Sequence, residues 1–286
     1  MFKPLRVVVV GCGDIGSRVA LLLQQQGCDV YGVRRNTAHL PAAIKPIAAD
    51  IFQPQCPSAW PTQPIDYVIY AMAANAMTPE GYQQAYVLGQ RHMYSWLAQH
   101  QQQPKRVIFV SSSGVYAQDD DSWIDEQSPT LPKRWSGQIM LEAEQCAFAS
   151  GHPATAVRLT GIYGPGRDML IRRVQQGYHA ADTPSFTNRI HADDAAALIA
   201  KIVQADAQGV LLESLYIGVD DEPVEQAEVV AWLQQQLQVS HAPDLILQPR
   251  SGSKRCSNAR AKALGWAPQY RSYREGYAAQ LARFTG

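Results

Sequence analysis

The chain has 286 residues, which is enough for a large hydrophobic core and a second, smaller domain. Its 25 Lys and Arg residues balance its 25 Asp and Glu residues, which argues against a nucleic-acid partner or an anionic membrane surface. No run of about 18 apolar residues and no signal peptide occurs, so we expect no membrane partner. The five cysteines are scattered without a CxxC pair, which is typical of reduced thiols in a cytoplasmic protein without a metal site.

The first 160 residues alternate apolar strands with helices. LRVVVVG is the first predicted strand, a helix with apolar residues at helical spacing runs to Gly27, and CDVYGVRR is the second strand. Further strands are predicted for PIAAD, IDYVIYAMAA and KRVIFVSSS, and a long helix ending at Pro104 separates the last two. This order predicts an α/β fold with a doubly wound parallel sheet, covered on both faces, and with ligands at the carboxyl ends of the strands.

The pattern beyond residue 160 is less regular. Helices are predicted for HADDAAALIAKIVQA, for EPVEQAEVVAWLQQQL and for both ends of NARAKALGWAPQYRSYREGY. We expect residues 1–160 to form the sheet domain, with the helix at 190–205 returning to it. Residues 161–286 would then form a smaller α/β substrate or lid domain.

A glycine motif lies between the first strand and the first helix. Gly11, Gly13 and Gly16 form G-x-G-x-x-G, in which the glycines allow a tight turn, a close approach to a pyrophosphate and close helix packing. Backbone N–H groups at the helix start, around Asp14 and Ile15, would meet the phosphates. This context predicts a dinucleotide site, and the alternative is a tight turn without a ligand.

The end of the second strand indicates which dinucleotide is bound. NAD sites usually have a carboxylate here for the ribose 2′-hydroxyl, but this chain has Arg34 and Arg35. Guanidinium groups pair with a 2′-phosphate, so NADP is favoured over NAD unless both arginines are simply solvated. Asp50 would accept a hydrogen bond from the adenine or cap a turn. The small residues that follow the IDYVIY strand, Ala71 and Ala73 among them, leave room for the cofactor.

Several motifs together resemble one known superfamily. The order of GCGDIG, YAMAA, SSSGVYA, RLTGIYGPGRD and RIHADDAA is similar to that of the extended short-chain dehydrogenases/reductases, which include NAD(P)-dependent epimerases and dehydratases of nucleotide sugars. The resemblance covers nearly the whole chain. It implies a Rossmann domain, a C-terminal substrate domain, and a nucleotide sugar or another carbonyl or hydroxyl compound as substrate. It also implies a homodimer formed through two long helices.

The chain departs from this family at the residues that perform the chemistry. The resemblance implies a Ser/Thr–Tyr–Lys site in which Ser112 holds the substrate oxygen. Aligning the family's glutamate with Glu144 places Ser136 at the tyrosine position and Met140 at the lysine position, and no Y-x-x-x-K occurs anywhere. Methionine supplies no charge to lower a phenol's pKa, and serine is too short and too weak an acid to replace that phenol. Tyr86 also stands where the family usually has Asn.

Two functions from different classes remain open. In the first, the protein is an oxidoreductase or epimerase whose proton comes from another residue; Tyr116 is the first candidate, beside Tyr163, Lys133 and His191. In the second, it is a non-catalytic NADP-binding regulatory or sensor module on the same fold.

Two further segments lie near the predicted cleft. We expect DDDSWIDE to be a solvated loop or a mobile flap. In PRSGSKRCSNAR, either Lys254 or Arg255 would meet the diphosphate of a nucleotide sugar, or the segment is an ordinary loop before a helix.

Overall fold

The computed structural model describes residues 3–248 and 252–284, so the first three residues of PRSGSKRCSNAR lie outside the described residues. The strands in these ranges are β1 (Arg6–Val10), β2 (Asp29–Arg34), β3 (Lys45–Ala48), β4 (Tyr67–Tyr70), β5 (Arg106–Ser112), β6 (Trp123–Ile124), β7 (Ala154–Leu159), β8 (Gly161–Tyr163), β9 (His179–Ala180), β10 (Phe186–Thr187), β11 (Arg189–His191), β12 (Leu215–Gly218), β13 (Val224–Glu225), β14 (Ile246–Leu247) and β15 (Arg255–Cys256). The helices are α1 (Asp14–Gln25), α2 (Pro79–Tyr82), α3 (Gly89–Gln99), α4 (Trp135–Phe148), α5 (Met169–Gln175), α6 (Ala192–Ala207), α7 (Gln226–Leu237), α8 (Ala259–Ala263) and α9 (Tyr273–Phe284).

The chain divides into two compact units. The first contains residues 1–115, 131–158 and 196–216, and the second contains residues 116–130, 159–195 and 217–286. Most of α6 belongs to the first unit, and its first turn belongs to the second.

The first unit is built on a seven-stranded sheet with the order β12-β7-β5-β4-β1-β2-β3. The ladders that join β1, β2, β3, β4 and β5 are parallel. Every residue of β1 and β4 is buried, because helices cover both faces and leave no solvent face for polar residues. The predicted doubly wound α/β fold is confirmed.

The long helix predicted before Pro104 contains a π-helical turn. A π-helical turn at Gln83–Leu88 separates α2 from α3. Gly89 begins α3 where a Cβ atom would overlap the hydroxyl oxygen of Tyr70, which donates to the carbonyl of Ala85. The extra residue in the π-helical turn changes the directions in which the side chains of this segment point. Such turns are frequent at functional sites.

The second unit contains short strand pairs and a separate apolar core. Its pairs are β8–β11, β9–β14 and β6–β15, all parallel, and β10–β13, which is antiparallel. β6 lies inside DDDSWIDE, where we expected a loop. The core contains residues of α5, α7 and α9.

Within the described residues, no helix is long and apolar enough to cross a bilayer. All five cysteines are free.

Candidate functional site

The glycine loop is fixed between β1, β2 and β4. The N–H groups of Gly11 and Cys12 both donate to the carbonyl of Val33, at 3.2 and 3.1 Å. Gly11 has a φ of +85°, and a Cβ atom there would lie 2.7 Å from the Ala71 carbonyl oxygen. Both the backbone conformation and the close approach of β4 therefore require glycine at this position. Burial raises the pKa of the Cys12 thiol, which favours a packing role for it.

The other two glycines differ in what surrounds them. A Cβ atom on Gly16 would overlap the carbonyl oxygen of Gly11, so glycine lets α1 pack close to the loop. A Cβ atom on Gly13 would meet only the Gly11 carbonyl oxygen, at 3.9 Å, which is ordinary contact. No neighbouring atom crowds position 13, and the free space suits a phosphate group that must approach the backbone.

The N-terminus of α1 faces this free space. Gly13 is its N-cap, and no side chain among the described residues caps it. Asp14 is exposed and pairs with Arg18 at 2.7 Å, whereas the Ile15 side chain is buried. Free N–H groups and the positive end of the helix dipole make this terminus suitable for an anion.

Two arginines lie beside the loop. Arg34 Nη1 donates to the carbonyl of Cys12 at 3.4 Å, and Arg35 Nη2 donates to Asn75 Oδ1 at 3.1 Å. Over residues 3–248 and 252–284, neither guanidinium forms an ion pair with a carboxylate. Their charges are therefore available to an anionic ligand at the end of β2.

Asp50 and the two alanines complete the predicted cofactor residues. Asp50 Oδ1 accepts from the N–H of Phe52 at 3.1 Å, so this carboxylate caps a turn. The N–H of Ala71 donates to the carbonyl of Val10 at 2.8 Å, and Ala73, two residues further, is exposed. The end of β4 thus combines small side chains with open space.

The end of β5 carries two serines with different roles. Ser112 is half-buried, and its Oγ accepts from the N–H of Gly114 at 3.1 Å. Ser111 is buried and donates to Glu144 Oε1 at 2.5 Å. Glu144 also accepts two hydrogen bonds from Arg158, at 2.9 and 2.7 Å. The sequence did not predict this buried network, which ties α4 to β5 and β7.

α4 places Ser136 and Met140, the residues that we align with the family's tyrosine and lysine, on the face that packs against the sheet. Ser136, Met140 and Glu144 are spaced four apart and share one helix face, and Glu144 contacts β5. A Cβ atom on Gly137 would lie 2.5 Å from the Gly114 carbonyl oxygen, so the helix start packs directly on the turn after β5. Met140 is 5% exposed and Ser136 is half-buried. The start of α4 therefore packs on this edge of the sheet with a serine at 136 and a methionine at 140.

An aromatic group lies at the same edge of the sheet. The Tyr86 hydroxyl accepts from the N–H of Ala74 at 3.4 Å, just beyond the end of β4. The Tyr82 ring contacts the rings of Tyr86 and Trp135, at centroid distances of 5.1 and 5.0 Å. We call Tyr82, Tyr86 and Trp135 the aromatic edge.

The other acid–base candidates are engaged in local contacts. In the second unit, the Tyr116 hydroxyl is buried and donates to the carbonyl of Asp125 at 2.9 Å. Tyr163 donates to the carbonyl of Ser272 at 3.3 Å, and burial raises its pKa. His191 Nδ1 accepts from the N–H of Asp193 at 3.2 Å. In the first unit, Lys133 is exposed.

Across the described parts of the chain, no three His, Cys, Asp or Glu side chains lie together as a metal site requires.

Comparisons with known proteins identify one family and several similar structures. The sequence profile of the NAD dependent epimerase/dehydratase family matches residues 7–218. A protein from Methylobacillus flagellatus, whose name refers to an NAD-dependent epimerase/dehydratase, is 33% identical over 99% of this chain and 100% of its own, with a TM-score of 0.80. A conserved protein of unknown function from Silicibacter pomeroyi DSS is 25% identical over 98% of this chain and 99% of its own, with a TM-score of 0.76.

More distant structures share the fold. A UDP-glucose 4-epimerase from Thermotoga maritima, solved with UDP-glucose, is 19% identical over 98% of this chain and 99% of its own, with a TM-score of 0.79. At this identity the likeness is one of fold alone. No curated protein matches the sequence.

Proposed function

The chain belongs to the NAD dependent epimerase/dehydratase family, and from this premise we propose that it is an NADP-dependent oxidoreductase of the extended short-chain dehydrogenase/reductase type. The observation that carries the choice of NADP is the pair Arg34 and Arg35, which have no carboxylate partner within the described residues and lie beside the glycine loop. A carboxylate at the end of β2 would repel a 2′-phosphate, whereas two guanidinium groups hold it through charge-assisted hydrogen bonds.

The residues of the first unit fit the other parts of the cofactor. The pyrophosphate would lie over Gly13 and the N-terminus of α1, where a Cβ atom would otherwise fill the space. Ala71 and Ala73 leave room at the end of β4. Asp50 Oδ1 accepts the hydrogen bond that caps the turn, so Oδ2 could accept one from the adenine. The bound dinucleotide supplies or takes a hydride. Ser112 Oγ would hold the substrate oxygen at the end of β5.

The proposed substrate is a nucleotide sugar or another carbonyl or hydroxyl compound. Related folds have been solved with UDP-glucose and with UDP-glucuronic acid. Within the second unit, Arg255 lies over the rings of Phe186 and Trp123, at 4.9 and 5.4 Å, and Nε donates to the carbonyl of Asp121. Lys254 is 2% exposed, and burial lowers its pKa. Arg255 is therefore the more accessible cation for a diphosphate.

The proposed assembly is a homodimer formed by the outer surfaces of α3 and α4. A surface cavity of ≈ 480 Å³ between these helices is lined by Arg91, Tyr94, Glu142 and Cys146, among others. Phe148 on α4 is 44% exposed, and a second copy would cover it. Light scattering should give twice the chain mass, and Phe148→Glu should shift it toward monomer. Leu211→Glu, at a side chain that is 96% exposed beyond α6, is the control and should leave the mass unchanged.

Calorimetric titration of the unmodified chain tests the cofactor assignment. NADPH should bind more tightly than NADH, because only NADPH presents a 2′-phosphate to the two arginines. Equal affinities would contradict the argument from Arg34 and Arg35. The absence of binding by either cofactor would contradict the oxidoreductase proposal as a whole. Cofactor binding without turnover of any carbonyl probe would favour the regulatory or sensor alternative.

A further inference from the structure

The chain lacks the phenol that its family uses, but another phenol lies at the same edge of the sheet. Tyr86 projects from the π-helical turn between α2 and α3, and its hydroxyl oxygen lies 3.4 Å from the N–H of Ala74. Ala74 lies four residues beyond the end of β4 and three beyond Ala71, whose carbonyl oxygen would lie 2.7 Å from a Cβ atom on Gly11 of the cofactor loop. Tyr86 therefore lies at the carboxyl end of the strand next to the glycine loop.

The predicted substrate serine lies at the same edge of the sheet as Tyr86. β4 and β5 are neighbouring parallel strands, with Tyr70 paired with Phe109. Ser112 ends β5 three residues beyond Phe109, so Ser112 and the segment that follows β4 leave the sheet at the same edge. The Tyr82 ring then links Tyr86 to Trp135, the residue before Ser136. Tyr86 thus lies within the arc formed by the glycine loop, Ser112 and the start of α4, all of which belong to the first unit.

The hydroxyl hydrogen of Tyr86 is available for a hydrogen bond to a ligand. Its oxygen accepts the Ala74 N–H, and no residue in the described part of the chain accepts the hydroxyl hydrogen. The other two tyrosines considered for this role, Tyr116 and Tyr163, donate theirs to backbone carbonyls. The half-buried Tyr86 hydroxyl is oriented by the hydrogen bond that its oxygen accepts. Its hydrogen can therefore be donated to an oxygen atom of a ligand.

We propose that Tyr86 is a catalytic residue that donates its hydroxyl hydrogen to the substrate carbonyl oxygen, and that the site therefore works as a carbonyl reductase. This inference rests on the proposed dinucleotide-dependent function. The substrate carbonyl carbon accepts the hydride of a reduced dinucleotide, so the C=O π bond opens and a C–H bond forms. The oxygen takes the proton from Tyr86 as the tyrosine O–H bond breaks. Solvent then returns a proton to the phenolate.

The absence of a lysine at position 140 favours carbonyl reduction over alcohol oxidation. The family's tyrosine also acts as a base because an adjacent ammonium lowers its pKa. Here Met140 occupies the lysine position, and burial raises the pKa of Tyr86. At neutral pH such a phenol is present in the protonated form that can donate a proton, and the phenolate form that would remove one is scarce. Reduction of a carbonyl is therefore favoured over oxidation of an alcohol and over epimerisation, which must begin with that oxidation.

The location of Tyr86 is tested by spectroscopy, independently of activity. Tyr86 is replaced by 3,5-difluorotyrosine, whose phenol ionises within the range where proteins stay folded, and its titration is followed by fluorine NMR. With saturating NADP⁺ the phenol pKa should lie about one unit lower than with NADPH, because only the oxidised ring carries a positive charge. The same replacement at Tyr31, in the amino-terminal half of β2, is the control and should show no difference.

The outcomes of this experiment are distinct. Identical titrations of position 86 with the two cofactors would overturn the assignment, since the phenol would then be far from the nicotinamide. Calorimetry on the same samples separates this result from a failure of the proposed function, in which neither cofactor binds and both proposals fall.

Proton donation is tested with NADPH and two probe carbonyls, 9,10-phenanthrenequinone and a UDP-4-keto sugar. Tyr86→Phe should lower kcat by roughly 100- to 10,000-fold and leave the affinity for NADPH unchanged. Tyr31→Phe removes a phenol hydroxyl in the amino-terminal half of β2, and it should retain the unmodified rate. An unchanged kcat in Tyr86→Phe, or no reduction of either probe by the unmodified chain, would overturn the assignment.

Discussion

Arg34 and Arg35 select the cofactor through charge, so their removal should affect one cofactor only. Arg34→Ala and Arg35→Ala should each weaken NADPH binding by roughly 1.5–3 kcal/mol, the range for hydrogen bonds to charged groups, with little effect on NADH. Calorimetry provides the measurement. Arg91→Ala, at an exposed arginine on α3, is the matched control because it removes the same charge far from the glycine loop. Equal losses for NADH and NADPH would show that the arginines contact another part of the cofactor.

Alanine substitutions at two glycines of the loop should have different effects, one mainly on the stability of the fold and the other mainly on cofactor binding. Gly11→Ala places a Cβ atom 2.7 Å from backbone atoms at a φ of +85°, and it should destabilise the fold by at least about 1–2 kcal/mol. Gly13→Ala meets no atom closer than 3.9 Å and should cost less stability. It should nevertheless abolish most cofactor affinity, because its methyl group fills the space for the phosphates. Urea unfolding combined with calorimetry checks both; normal cofactor binding by Gly13→Ala would be inconsistent with a phosphate site there.

At the level of elements, α4 is held in place by a buried ion pair. Glu144 receives hydrogen bonds from Ser111 and Arg158, and both charged side chains are almost fully buried. Glu144→Ala would leave the Arg158 guanidinium buried without its partner. We expect a loss of about 3–5 kcal/mol in the free energy of unfolding. Glu142→Ala, at an exposed position of the same helix, should change it by less than about 1 kcal/mol.

The buried network positions α4 through residues other than the two that we align with the family's tyrosine and lysine. Ser111, Glu144 and Gly137 fix the position of α4 without involving Ser136 or Met140. A methionine at the lysine position avoids a buried ammonium and packs well in an irregular space.

At the scale of the whole molecule, the sequence predicts the sheet better than the contacts at its edge. β1 and β4 are continuous apolar runs, and such runs identify buried parallel strands directly. Ser111 and Glu144 are 33 positions apart, and Glu144 and Arg158 are 14 apart, so no local pattern predicts that they meet. β6 has only two residues within an acidic segment, which is too short for an alternating pattern. The contact between Tyr86 and Ala74 likewise depends on the π-helical turn.

The stability of the second unit should depend on pH most strongly through the buried carboxyl group of Asp220, whose pKa is raised further than that of the buried Asp194. Asp220 is 2% exposed, its Oδ1 accepts from the N–H of Glu222, and its Oδ2 has no partner among the described residues. Burial raises its pKa from 3.8 to about 8, against the smaller opposing effects of the Glu222 N–H and Arg189. At neutral pH the folded chain therefore keeps a proton on Asp220 that the unfolded chain releases.

The sign of the effect follows from this difference in bound protons. Stability contributed by the neutral carboxyl is present below pH 3.8 and is lost as the pH rises toward 8. The free energy of unfolding should fall by at most about 1.4 kcal/mol per pH unit in this window. Asp220→Asn keeps a neutral side chain of the same shape and should remove this slope, whereas Asp182→Asn, at an exposed position, should retain it. Urea unfolding between about pH 5 and about pH 8 measures the difference, and equal slopes in the unmodified chain and Asp220→Asn would mean that Asp220 is ionised in the folded protein.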